Sequence, residues 1–437
     1  MSRLEQIVAA ASRLVSGVGV RGLEVACKFG LFALAAHRLG PAALGIFFLC
    51  LTVQSLVSTA GRLGLERPTA RHLAADLALA RPDLARRTLV QALGLALACG
   101  VCCGLVLYAA AEPLAAALRQ PDVARPLGIT AMSLPFHLVT VVGGYVLIGL
   151  DRGGWGQFLM NALPPLLMLA ALAVAAALPG GASVELLLWS IVGAQVIAAA
   201  WTLGAAAGRW RSARAAAARR TAETLDSEPL PSLLKAARSF YPVELVSAVL
   251  ASLPGLALAP HVSAAVLGGF SVALRLAMLT TNVVTSLGYM VAARIAADHR
   301  RGAYADIRRD MRQVRRAALA LCAPPILVML LAPGPLLGLF NADMPEARLA
   351  VQIMALAQLA VAFCAGSDVL LAMSGHGRTL MGLSLAQLAL CVLGALLLIP
   401  AAGAAGAALT TAAAWIAAAV GQQALARRRT PEIFANG

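Results

Sequence analysis

Charge is scarce in this chain. Asp, Glu, Lys and Arg make up 13% of its 437 residues, about half the share a water-soluble domain carries. That shortage, beside 60% hydrophobic residues, excludes an ordinary soluble fold. Lysine is almost missing: 33 of the 35 basic residues are arginine, a bias that fits a GC-rich coding sequence better than a chemical demand. No stretch is polar enough to form a separate soluble domain. The net charge of +15 therefore does not describe a nucleic-acid binder, because the basic residues flank apolar runs and nothing is present to hold a polynucleotide. The eight cysteines all lie in apolar stretches. Cys99 and Cys102 have a redox or metal spacing but no histidine near them, and read as inert small hydrophobes. A cleavable signal core is not visible, since the first twelve residues are too polar for one.

What is present is a series of apolar stretches of roughly 20 residues, each long enough to cross a bilayer as a helix. There are twelve, at about 14–36, 43–65, 88–110, 126–149, 158–178, 184–207, 239–260, 265–290, 317–338, 348–372, 379–399 and 403–425. Pro135, Pro164, Pro165, Pro254, Pro324 and Pro325 fall inside them and permit kinks that a bundle can satisfy internally. Arginines crowd one side of this series, from Arg67 to Arg87, Arg209 to Arg220, Arg300 to Arg316 and Arg427 to Arg429. The other side holds Arg38, Arg119, Arg125 and Arg348. By the positive-inside rule both termini are expected in the cytoplasm.

The series is built twice. Leu44-Gly45-Ile46-Phe47 returns 223 positions later as Leu267-Gly268-Gly269-Phe270, and Ala70-Arg71 returns at the same offset as Ala293-Arg294. A looser echo links Leu118 to Asp122 with Leu339 to Asp343. Six spans per half is an even number, so both halves enter the membrane the same way, related by an axis near its normal. The expected organisation is an N-terminal six-helix lobe at 1–207, a cytoplasmic linker at 208–238 with its polar core at Thr221–Pro229, a C-terminal six-helix lobe at 239–426, and a basic tail at 427–437. The outer loops are too short to hold an extracellular catalytic domain. Their acids, Asp122, Glu185, Asp343 and Glu346, read as scattered and unpartnered, so an enzyme is not expected.

Ionisable residues within a membrane are costly, roughly 2.5–3.5 kcal/mol each on insertion scales. Arg21, Glu24 and Lys28 share one face of the first span, at spacings of three and four. Glu24 can fully compensate only one of the two cations. Arg275 lies near the middle of the eighth span, and Glu244 in the seventh aligns with Arg21 at the repeat offset. Two readings fit. In one, these residues form a structural ion-pair network, Arg21 with Glu244 for example. In the other, Arg21, Lys28 and Arg275 line a hydrated cavity between the lobes and face an anionic group of a substrate, with Glu24 and Glu244 as cavity ion pairs or ion-coupling groups. Asp368, near a span end, is expected to pair with Arg378 or His376. Gln54, Ser55, Ser58 and Thr59, and in the second half Thr280, Thr281, Asn282 and Thr285, are expected chiefly to make interhelical hydrogen bonds. His137 reads as a packed histidine, and the cytoplasmic arginines as groups that set topology and touch anionic lipid.

The charged first span, the run Leu39-Gly40-Pro41-Ala42-Ala43-Leu44-Gly45-Ile46-Phe47 and the exit Leu63-Gly64-Leu65-Glu66-Arg67-Pro68-Thr69-Ala70-Arg71 resemble the start of a Wzx-type polysaccharide flippase. That family belongs to the multidrug/oligosaccharidyl-lipid/polysaccharide (MOP) exporter superfamily, which also holds the MATE antiporters. The resemblance implies an all-α, V-shaped, MATE-like two-lobe bundle in a bacterial inner membrane. Its cavity would be lined mainly by spans one, two, seven and eight. The implied substrate is a polyprenyl-pyrophosphate-linked oligosaccharide, turned from the cytoplasmic to the outer leaflet for surface-polysaccharide synthesis. No cofactor is implied beyond a proton or sodium gradient. The implied partners are membrane lipids and a polysaccharide polymerase or export protein, with no nucleic acid. The absence of a further pair of C-terminal spans argues against the peptidoglycan-precursor branch. The alternative on the same fold is a MATE-like drug or cation antiporter.

Overall fold

A computed structural model describes the backbone of residues 3–79, 81–178, 183–217 and 229–434, with side chains from residue 19 onward other than 213–230, 232 and 239. The polar core expected for the linker, and the arginines at 214, 219 and 220, lie outside the described side chains. Among the described residues there is no strand. Two compact units divide the chain: Met1–Leu39 with Leu49–Ala248, and Gly40–Phe48 with Val249–Gly437. The nine residues Gly40–Phe48 thus pack with the second unit although they lie in the first half of the sequence.

The first unit is built from most of α1 (Arg3–Gly61), then α2 (Glu66–Ala78), α3 (Pro82–Ala109), the short α4 (Ala111–Ala117), α5 (Ala124–Ala131), α6 (Leu134–Gly149), α7 (Gly153–Gln157), α8 (Leu163–Ala176), α9 (Val184–Ala217) and the start of α10 (Pro229–Leu258). The second continues with α11 (Ala264–Arg301), α12 (Tyr304–Leu331), α13 (Pro333–Gly338), α14 (Pro345–Phe363), α15 (Ser367–Met373), α16 (Gly377–Arg429) and α17 (Pro431–Phe434). Among the described residues nine helices are long and apolar enough to cross a membrane. The number is ten when Pro121–Ala131 and Leu134–Gly149, bent by 50° at their junction, count as one.

Two of the nine are broken. The run Gly19–Gly61 has 43 residues and Gly377–Arg429 has 53, while a bilayer needs about 20. Gly40 (φ 83°, ψ 171°) interrupts the first and Gly403 (φ 52°, ψ −126°) the second. Glycine takes these angles without a Cβ penalty, and a proline beside each break, Pro41 and Pro400, lacks the N–H that would continue the ladder.

Each unit has one central helix. In the first, α6 packs on α2, α3 and α9. In the second, α14 packs on α11, α12 and α16. These are the fourth and tenth expected spans, the same position in each half. Their contacts rely on small residues. Along α3 the buried positions Ala85, Thr88, Ala92, Ala96, Gly100 and Gly104 recur every three or four residues. A Cβ at Gly100 would stand 2.6 Å from Pro135 Cα, and one at Gly104 3.0 Å from the Ala131 carbonyl. This accounts for the glycine between Cys99 and Cys102. Outside that stripe α3 is apolar and exposed, with Leu105 66% exposed, and other helices show the same: Val174 on α8 is 67% exposed, Leu397 on α16 69% and Leu331 on α12 81%. Water would not support so much exposed apolar surface, and the chain is a multi-pass membrane protein.

The repeated Leu-Gly-x-Phe motifs meet each other. A Cβ on Gly45 would run into the Ala264 carbonyl and lie 3.0 Å from Gly268 N, and one on Gly268 would run into the Pro41 carbonyl. Leu44, Phe47, Leu267 and Phe270 flank the contact, all at most 2% exposed. The sequence echo is therefore a glycine-on-glycine crossing of two copies of one motif. Gly268→Ala is expected to lower the thermal midpoint of the detergent-solubilised protein, since overpacking costs about 1–3 kcal/mol. Gly94→Ala, at a lipid-facing glycine with nothing within 4 Å, should leave it unchanged or raise it. Equal effects at both positions would contradict the close crossing.

Candidate functional site

The charged residues singled out by the sequence fall into three groups. On α1, Glu24 is shared: Arg21 Nη1 stands 2.8 Å from its Oε2 and Lys28 Nζ 2.7 Å from its Oε1. The Glu24 side chain is 8% exposed, against 57% for Arg21 and 44% for Lys28. Helix spacing dictates the pattern, because positions three and four apart stand above one another on one face. One carboxylate thus holds a guanidinium and an ammonium at a partly open surface. The cluster carries one uncompensated positive charge.

The second group differs from expectation. Glu244 pairs with Arg67, Nη2 to Oε1 at 3.3 Å, and not with Arg21. The cause is the turn between α1 and α2. Leu63 (φ 53°) and Gly64 (φ 73°) are both left-handed. A Cβ on Gly64 would sit 2.8 Å from the Ala237 carbonyl and 3.0 Å from Tyr241 N. The turn is therefore seated on α10, which carries Arg67 over the Phe240 ring at 5.9 Å and within reach of Glu244. Buried Leu65 anchors the next position. Beside it, Arg62 Nε lies 3.1 Å from Glu66 Oε1, with side chains only 19% and 10% exposed, and Arg62 Nη2 donates to Thr59 Oγ1 at 2.7 Å. Burial pushes the Glu66 carboxyl up and the Arg62 guanidinium opposes it. Sequence reasoning passed over Arg62, although its spacing of four from Glu66 was a signal.

The third group is in the second unit. The Arg275 guanidinium lies over the Phe48 ring, 3.7 Å from its centroid, and Nη1 donates to the Ser271 carbonyl at 3.1 Å. A cation over an aromatic face is stabilised by the ring's quadrupole, which helps an arginine to stand mid-helix. Phe48 is fully buried next to the Gly45 crossing, and nothing in the local sequence marked it as Arg275's neighbour.

The polar side chains of the second and eighth spans divide. Gln54 donates to Ser133 Oγ at 2.6 Å, in the turn between α5 and α6, and Thr281 donates from α11 to Gln358 Oε1 on α14 at 3.1 Å. Ser58, Thr59, Thr280 and Ser286 bond back to their own helix carbonyls. Asp368 is not among the ion pairs of the described residues. It stands in the first turn of α15, while His376 meets Ser374 Oγ at 3.1 Å. Two of the outer-loop acids have partners after all: Arg125–Glu185 at 3.1 Å and a two-pronged Arg348–Asp343 contact at 2.6 Å. Asp343 is held below the usual carboxylate range by Arg348. All eight cysteines are free thiols, and among the described residues no cluster of His, Cys, Asp or Glu has the makings of a metal site.

Neither a protein-family profile nor a curated protein sequence matches the chain. Solved structures do. An inward-facing multidrug-resistance MATE family transporter of the MOP superfamily aligns with a TM-score of 0.73 at 14% identity, over 95% of this chain and 96% of that one. The lipid II flippase MurJ, in an inward closed conformation, aligns at 0.65 and 12% identity, over 94% and 86%. A MOP superfamily transporter from Pyrococcus furiosus Vc1, described by a binding pocket of reversed polarity, aligns at 0.60 and 15%, over 96% and 94%. The chain has the all-helical fold of MOP-superfamily transporters.

The nearly buried Arg62–Glu66 pair makes a sharp prediction. Glu66→Leu strands the guanidinium and should cost roughly 3–5 kcal/mol, whereas Arg62→Leu/Glu66→Leu together should recover most of it. Thermal unfolding of the three variants reads this directly. Additive losses would contradict a buried, mutually compensating pair.

Proposed function

We propose that this protein is a flippase that moves a polyprenyl-pyrophosphate-linked oligosaccharide across the bacterial inner membrane. Twelve crossings are reached by counting the two glycine-broken helices as two each and the bent pair as one. Both termini then face the cytoplasm, with the arginine-rich ends. The carrying observation is the α1 cluster: two partly exposed cations share one buried carboxylate, leaving net positive charge within a membrane-spanning helix. An anionic group that donates nothing and accepts many hydrogen bonds suits Arg and Lys, and a pyrophosphate is such a group. Arg21 and Lys28 are its proposed contacts in the first unit and Arg275 in the second. Transport would proceed by alternating access, with Glu24 and Glu244 the candidate carriers of a coupling proton or sodium ion. A polysaccharide polymerase or export protein would take the product.

The second reading is a MATE-like antiporter, favoured by the fold likeness of 0.73 to a MATE transporter. The charge favours the flippase. A cationic drug site calls for acids left unpaired, and here Glu24 and Glu244 are both paired with bases.

Native mass spectrometry of protein purified from its own host separates the two. The wild type should retain a polyprenyl-pyrophosphate glycan, and Arg21→Ala/Lys28→Ala/Arg275→Ala should lose it. Bulk phospholipid alone in both would remove the pyrophosphate role. Glu24→Gln with Glu244→Gln should abolish the gradient dependence of transport in vesicles. Unchanged gradient dependence would exclude both as carriers.

A further inference from the structure

The first unit carries a cavity that none of the groups above uses. Its volume is about 380 Å³, and its wall includes Arg152, Trp155, Trp201, Gly208, Arg209 and Ser212. Along α9, Trp201, Gly208 and Ser212 stand at successive spacings of seven and four on one face of that helix, with Arg209 beside them. Trp201 and Arg209 are eight residues apart, about 12 Å along the axis at 1.5 Å per residue. The site is therefore polarised, with two guanidinium groups at one end and two indoles toward the apolar middle.

Each wall is fixed. α6 ends at Gly149, and Asp151 (φ 59°) turns the chain sharply into α7. Arg209 Nε donates to the Leu150 carbonyl at that turn, at 3.2 Å, which orients the guanidinium across it. The Trp155 and Trp201 rings lie 6.2 Å apart. They are 47% and 48% exposed, on a helix surface that meets lipid. Gly208 forms the floor, where an added Cβ would find nothing within 4 Å. The neighbouring carboxylate, Asp151, is exposed and does not line the cavity.

We infer that this groove is a binding site for an anionic glycerophospholipid of the leaflet at the arginine-rich end. Its phosphate would lie between Arg152 and Arg209 and its acyl chains would run past Trp201 and Trp155. Indoles at the interface and cations at the headgroup are the two halves of such a ligand. The occupant is a lipid rather than a soluble phosphate, because the half-exposed Trp155 and Trp201 rings offer apolar area that acyl chains cover and a free ion would leave in place.

The test uses the full-length protein reconstituted with phosphatidylglycerol and phosphatidylcholine in equal amounts. Native mass spectrometry after mild delipidation gives the ratio of the two retained. The wild type should keep phosphatidylglycerol preferentially. Arg152→Ala/Arg209→Ala should lower that ratio roughly 30-fold, the worth of two basic contacts at about 1 kcal/mol each to an anionic headgroup. Arg86→Ala/Arg87→Ala, which removes the same charge from exposed positions on α3, should leave it unchanged. Gly208→Leu, which fills the groove without touching charge, should also lower it. Equal retention of both lipids by the wild type, or equal loss in both arginine pairs, would overturn the site in favour of general surface electrostatics.

Discussion

In a hydrocarbon solvent no hydrophobic force draws one helix to another, so this bundle depends on how closely backbones can approach. The approach is made by glycine and alanine. Gly100 and Gly104 bring α3 onto Pro135 and Ala131 at the junction of α5 and α6, and Gly45 and Gly268 bring two copies of one motif into backbone contact. The central helices α6 and α14 are reached through such contacts, and the side chains that carry charge are displayed from the frame they make. A larger residue at any of these crossings would push the packed elements apart.

Charge follows the same economy. The nearly buried Glu24 and Glu66 each have a cation one helical turn away, and the partly exposed Glu244 has one across a packed turn. Arg21, Lys28 and Arg67 reach outward, while Arg62 stays nearly buried with its acid. Arg275 is the variation, stabilised by the Phe48 ring and a helix carbonyl. A membrane protein can keep ionisable groups at depth when each has a short-range partner, and positive charge left over is then a resource for recognising an anion.

The positions of the apolar spans were legible because a 20-residue run of hydrophobic residues has few other uses. The breaks inside the two longest helices also show in the sequence, as Gly40-Pro41 and as Pro400 with Gly403. The Leu-Gly-x-Phe echo was visible as a duplication, but not as a contact between its own copies. That depends on Gly40–Phe48 packing with the second unit, which no local pattern encodes. Glu244 is the clearest miss. The repeat offset pointed to Arg21, while its partner was decided by two consecutive left-handed residues, Leu63 and Gly64, that seat a turn on α10. The α1 cluster was legible in full because its members are three and four residues apart on one helix. Arg275 with Phe48 was not, since their nearness is a matter of packing between distant segments.

The most direct test of the account is a reconstituted translocation assay. Purified protein in liposomes would be given a fluorescent polyprenyl-pyrophosphate oligosaccharide, and its movement between leaflets followed by quenching from outside. The account predicts that wild-type protein speeds the exchange and that Arg21→Ala/Lys28→Ala/Arg275→Ala returns it to the protein-free rate. Exchange no faster than in empty liposomes, together with gradient-driven efflux of a cationic dye, would contradict it.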